Sequence, residues 1–194
     1  MGHTTGSVGI NTIVLSIGVF LDTPDSRNII TNAREVEMDD KLVFCTLANG
    51  SFEIFSLATK CSIVQSSSGS WNLTTILYSP SHKLLSTGSS HGVINMYNAA
   101  SLKNLSSSLI SWSSNASSIE DVAFLLSPSS SAAAELEIGT DDILPYITTI
   151  SHDSAPNVKV KAEIVGGDYK GVRIVRVGEE EVWTAGDDSV VRAY

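Results

Sequence analysis

The chain has 194 residues, 42% of them apolar and 17% charged, and its 12 basic against 21 acidic side chains leave a formal charge of −9. Such a composition excludes disorder along the whole chain, because that much apolar surface can form a core. The acidic balance excludes the basic footprint that phosphate backbones require, so no nucleic-acid partner is expected.

In chain order, the first feature is an apolar run over residues 8–21, broken by Asn11, Thr12, Ser16 and Gly18. It falls short of the roughly 20 residues that cross a bilayer, and no membrane partner is expected. No Lys or Arg precedes the run and no small-residue cleavage site follows it, against a signal peptide. Gly6 stands where a myristoylation motif needs Ser or Thr. Residues 12–20 read as a leading strand.

Beyond that point periodicity of two dominates, with turn residues as punctuation, and the prediction is a series of short strands. One unit returns: an apolar strand, a tight polar turn, then a second strand ending in a bulky residue. The first copy is KLVFCTLANGSFEIFSL at 41–57, turning at Asn49-Gly50. It contains Cys45, and Cys61 follows; two cysteines are too few for a disulfide scaffold and read as buried reduced thiols of a cytoplasmic or nuclear protein. The second copy is KLLSTGSSHGVINMYN at 83–98, preceded by a strand at 75–78 and the turn Ser79-Pro80-Ser81-His82, and it turns at His91-Gly92. The third is LEIGTDDILPYI at 136–147, preceded by 119–126, with Asp141-Asp142 in its turn. The last is EVWTAGDDSVVRAY at 181–194, preceded by 172–177, turning at Asp188-Ser189. Ser-rich stretches near 66–70, 106–118 and 127–134 read as loops between strands. The turns at Gly50, Gly92, Asp142 and Ser189 are 42, 50 and 47 residues apart, close to the span of about 40 to 45 residues of a four-stranded propeller blade.

The stretches SPSHKLLSTGSSHGVINMYN and VGEEEVWTAGDDSVVRAY resemble the WD40 repeat, over roughly residues 36–194. No copy ends in Trp-Asp: the closing pairs include Phe55-Ser56, Tyr97-Asn98 and Ile147-Thr148, and the single Gly-His pair is Gly2-His3. The hydrogen-bonded tetrad of that family is therefore expected to be incomplete here. The expected fold is an all-β, WD40-like β-propeller segment of about four blades, forming one partial domain over 1–194 and belonging to a larger, seven-bladed ring. A ring closed on these residues alone and a pair of half-rings are the other two arrangements. Within the family, the order ANGSFEIFSL, GSSHGVINMYNAASLKN, SSIEDVAF is similar to the WD40 chaperones of the proteasome regulatory particle. That resemblance implies binding to base ATPase subunits of the proteasome.

Several motifs have a chemical and a structural reading. Gly88-Ser89-Ser90-His91-Gly92 fits G-x-S-x-G, the strained strand-to-helix turn that exposes a nucleophilic serine. A period-two strand follows instead of a helix, so a hairpin is expected and a hydrolase using Ser90 is the remote alternative. The Asp141-Asp142 and Asp187-Asp188 pairs lack the further oxygen ligands a hard cation needs. Asp141 and Asp188, like Asn49 and His91 at the equivalent place, read as turn formers. His3, His82, His91 and His152 have no partner at ligand spacing. No phosphate-binding loop or dinucleotide fingerprint occurs, and no cofactor or metal is expected. Trp112, among polar neighbours, reads as the most exposed of Trp71, Trp112 and Trp183 and as a partner contact. Glu179, Glu180 and Glu181 with Asp187 and Asp188 are expected to form an acidic edge that steers a basic partner. The sequence thus predicts a non-enzymatic platform for other proteins. The alternative in the same class is a WD40 adaptor or scaffold in a ubiquitin ligase or in ribosome assembly.

Overall fold

The computed structural model describes residues 30–36, 42–105, 108–113, 117–125, 133–141, 145–151, 157–164, 171–178 and 181–194. The expected leading strand at 12–20, Asp142, Glu179, Glu180, His3 and His152 lie outside this set.

Among the described residues, fifteen strands form four antiparallel sheets, each running outward in sequence order. The first holds β1 (Ile30–Val36), β2 (Leu42–Leu47), β3 (Phe52–Ser56) and β4 (Cys61–Gln65). The second holds β5 (Leu73–Ser79), β6 (Leu84–Ser89), β7 (Val93–Asn98) and β8 (Ile110–Ser113). The third holds β9 (Ile119–Phe124), β10 (Ala133–Thr140), β11 (Tyr146–Ser151) and β12 (Asn157–Glu163). The fourth holds β13 (Val172–Val177), β14 (Val182–Gly186) and β15 (Val191–Ala193). A short 3-10 turn, Leu102–Asn104, follows β7. The four sequence copies supply the second and third strands of the four sheets, and the predicted turn at 79–82 joins the first strand of the second sheet to its second.

Period two explains how one strand serves two interfaces. Along β6, Leu85 faces the first sheet, beside Leu42, Phe44, Phe52, Ile54 and Ile76. Its neighbour Leu84 faces the third, with Ile94, Met96, Val122, Leu136 and Ile138. Ring contacts tie the first two sheets together: Phe44 stacks on Tyr78 with centroids 5.3 Å apart, and Phe52 meets Tyr97 edge-on at 5.2 Å. The inner strands β1, β5, β9 and β13 touch in that order. Exposure rises outward: β2 and β3 are buried throughout, whereas β4 and β12 are mostly exposed.

Three expectations require correction. The stretch 106–118 is not all loop, because β8 pairs there with β7, and 127–134 likewise yields its last two residues to β10. On β8, Ile110 and Trp112 point inward while Ser111 and Ser113 point out. Trp112 therefore packs on the core between the second and third sheets with its indole nitrogen buried, and Trp71 and Trp183 are the exposed tryptophans. Of the two thiols only Cys45 is buried; Cys61 lies exposed on the outer strand β4.

Candidate protein-interaction face

The four inner strands begin alike: Ile30-Thr31, Leu73-Thr74, Ile119-Glu120 and Val172-Arg173, an apolar residue and then a polar one. In each, the ladder to the second strand skips the polar residue, leaving a β-bulge. A bulge turns its extra side chain away from the ladder, and here it is turned onto the next sheet. Thr31 Oγ1 donates to the Leu73 carbonyl, Thr74 Oγ1 donates to the Ile119 carbonyl, and Glu120 binds Arg173 at 2.9 Å. One residue further on, Asn32 Nδ2 donates to the Thr74 carbonyl at 3.1 Å. At the equivalent place the buried Asp121 accepts the Val175 N–H at 3.0 Å and Arg176 Nη1 at 2.8 Å. These repeated contacts set the starts of the inner strands side by side and gather the second-to-third-strand turns around them at one end of the molecule.

Two features stand on that end. The first is aromatic: Trp71, 46% exposed just ahead of β5, stacks on His91 with centroids 3.7 Å apart and planes 14° from parallel. Trp71 also crosses the Asn49-Gly50 turn, where a side chain on Gly50 would come within 2.5 Å of the Trp71 carbonyl oxygen. The second is charged. Arg173 forks onto Asp187, Nε to Oδ1 at 2.9 Å and Nη2 to Oδ2 at 2.6 Å, and it also meets Asp141 at 2.7 Å and Glu120. The Asp187 hydrogen bonds, with Glu120 and Asp141 beside them, push the guanidinium above its ordinary pKa. Three carboxylates around one guanidinium leave an excess of two negative charges.

The turn residues divide by use. Gly50 and Gly92 have φ of +78° and +72°, the left-handed region that glycine enters without steric cost, and Ser189 has φ of +62°. Asn49 Oδ1 accepts the Ser51 N–H at 3.0 Å and Asp188 Oδ1 accepts the Val190 N–H at 3.0 Å, both two residues on. The hydrogen bond from Arg192, with that from Val190, lowers the Asp188 pKa. His91 leaves the turn to Ser89, whose hydroxyl accepts the Val93 N–H at 3.0 Å, and gives its ring to Trp71. Asp141 gives its carboxylate to Arg173. Ser90 lies in the hairpin between β6 and β7, with its hydroxyl 3.2 Å from Nδ1 of the adjacent His91.

Of the residues assigned to the acidic edge, Glu179 and Glu180 lie outside the described residues. Glu181 and Asp187 flank opposite ends of β14, about 20 Å apart at strand rise, and Asp187 and Asp188 are held by Arg173 and Arg192. Among the described residues, acidic excess gathers where Asp187, with Glu120 and Asp141, meets Arg173. Sequence reading passed over Arg173 and Glu120 because it aligned the turns; aligning the apolar-polar openings of the inner strands would have found both. Among the described residues no group of three or more His, Cys, Asp or Glu is placed to hold a metal, and no helix is long and apolar enough to cross a membrane.

Comparison with solved structures agrees with this architecture. The chain is similar to the computationally designed Ika4 protein, at 13% identity and a TM-score of 0.64 over 89% of this chain and 94% of that one. It is similar to the designed Ika8 protein, at 14% identity and a TM-score of 0.60 over 85% of this chain, and to a chain of a mitotic checkpoint complex, at 14% and 0.59 over 84%. It spans 45% of the length of each of those two chains. No protein-family model and no curated protein matches the sequence. At such identities the likeness shows fold alone, and with four stacked antiparallel sheets it defines the class: a partial β-propeller, each sheet a blade.

Proposed function

We propose that this chain is a non-enzymatic platform for other proteins and that its contact surface is the face on which the inner strands begin. The observation that carries the reading is the juxtaposition there of an exposed Trp71-His91 stack with an acid-rich cluster around Arg173. Aromatic anchors supply contact energy and excess charge steers a partner of opposite sign, so the partner presents a basic segment with an apolar side chain to lie on Trp71. In line with the WD40 resemblance, the partners we propose are base ATPase subunits of the proteasome, bound during assembly of its regulatory particle in the cytoplasm or nucleus. The competing scaffold role, in a ubiquitin ligase or in ribosome assembly, uses the same face.

Affinity capture from cell extract at low and then high salt tests this reading, with Trp71→Ala as the control. Recovery of base ATPase subunits at low salt, reduced at high salt and by the substitution, is the expected result. Recovery of another complex with the same dependence replaces the partner, and capture indifferent to both salt and Trp71 contradicts the face. For the non-enzymatic part, the support is that Ser90 is followed by a strand. Covalent labelling of Ser90 by a serine-directed activity probe would contradict it.

A further inference from the structure

The far ends of the inner strands line a second feature, an open cleft of about 280 Å³ between β5, β9 and β13. Leu77, Phe124 and Val177 give it apolar walls, and His82 and Arg176 are its nitrogen-bearing side chains.

The local bonding fixes which donors remain. Arg176 commits Nη1 to Asp121 at 2.8 Å and to the Val175 carbonyl at 2.6 Å, while 62% of its side chain stays exposed. Among the described residues no acceptor engages Nε or Nη2. Those two nitrogens form one side of the guanidinium, with parallel N–H bonds at the spacing of two carboxylate oxygens. The buried Asp121 holds the group in place, so little further ordering is needed on binding. His82 is fixed too: its ring stacks on Phe124 with centroids 5.6 Å apart, and Nδ1 lies 2.8 Å from Ser79 Oγ. Ser81 Oγ stands 3.2 Å from the same nitrogen, so Nδ1 is held by two hydroxyls and Nε2 has neither of them.

We propose that this cleft binds a carboxylate carried on a small apolar group, the carboxylate on the free side of Arg176 and the apolar part against Leu77, Phe124 and Val177. The volume admits one such residue and little more, close to the lower bound of about 300 Å³ for small-molecule sites. A free aliphatic acid and the C-terminal residue of a peptide share this chemistry. The site is separate from the Trp71 face, so its failure would leave the platform reading standing, and the reverse also holds.

The test is a titration of the isotope-labelled 194-residue chain, followed through its backbone amide resonances. The probes are N-acetyl-leucine, N-acetyl-leucinamide and a short peptide with a free C-terminal leucine. The expected result is saturable movement of the Phe124 and Val177 amides by the acid or the peptide, with the amide weaker by about tenfold or more. Tighter binding of the peptide assigns the ligand to a protein C-terminus, and equal or tighter binding of the acid assigns it to a free acid. Arg176→Met should remove the preference for the acid. Because that change also removes the Arg176–Asp121 ion pair, Val177→Trp, which fills the cleft and leaves the ion pair intact, should independently abolish binding. Equal binding of acid and amide, binding that survives Val177→Trp, or no saturable shift would overturn the proposal.

Discussion

The first and fourth sheets share one plan and differ in what covers them. In the first, Phe44 and Ile54 are buried against the second sheet while Val43, Cys45 and Phe55, on the opposite face, are 4% exposed or less. In the fourth, Val175 and Thr184 are buried toward the third sheet, but Ile174, Trp183 and Val191 on the other face are 45%, 43% and 64% exposed. The registers place Ile174 opposite Ala185, and Ala185 opposite Val191, so the exposed residues form one apolar surface. The small residue there has counterparts in Gly88 and Gly139, where the next inner strand comes so close that an added Cβ would meet Ile119 at 2.5 Å and Val175 at 3.0 Å. Ala185 thus leaves room for a strand that none of the described residues supplies. The two outer faces of the stack thus differ: that of the first sheet is covered and that of the fourth is open.

The largest test of that difference is truncation on the two sides. Phe44→Ala should cost about 3–5 kcal/mol in denaturant unfolding, as for a fully buried aromatic, whereas Trp183→Ala should cost about 1 kcal/mol or less. Similar losses would mean that Trp183 is covered in solution. Next comes the polar junction between the third and fourth sheets. Asp121→Ala leaves the Val175 N–H without its acceptor and should cost about 1–3 kcal/mol, with the loss confined to the fourth sheet if that sheet opens first.

The thiols sharpen the contrast within the first sheet. Burial, with Glu53 nearby, pushes the Cys45 pKa from 9.0 to about 12. The unfolded chain releases that proton above about 9 while the folded chain keeps it, so Cys45 contributes stability that is full below pH 9 and lost as pH rises toward 12. A thiol reagent at neutral pH should modify Cys61 at once and Cys45 only on unfolding, and Cys45→Ala should flatten the alkaline limb of the stability profile.

Much of this architecture was legible in the sequence. Turn chemistry at Asn49-Gly50 and His91-Gly92 marked the hairpins because only a few residue types tolerate those backbone angles, and their spacing gave the number of sheets. What was illegible depended on the third dimension. Trp112 sits among serines, yet β8 alternates, and the alternation carries it inward. Asp187 and Glu181 are near in sequence, yet an intervening strand sends them to opposite ends. Arg173 draws carboxylates from three segments, a convergence no local pattern encodes.

The smallest expected effect concerns Ser189, a non-glycine residue of the turn series, with φ of +62°. Ser189→Gly should relieve left-handed strain at some entropic cost, for a gain of about 0.5 kcal/mol in the fourth sheet.

Amide hydrogen exchange on the intact chain tests the central claim most directly, because it reads the opening of each strand in one sample. Slow exchange is expected across β2, β3 and β6 and much faster exchange across β14 and β15. Equal protection of the first and fourth sheets would contradict it, since the face of Ile174, Trp183 and Val191 would then be closed.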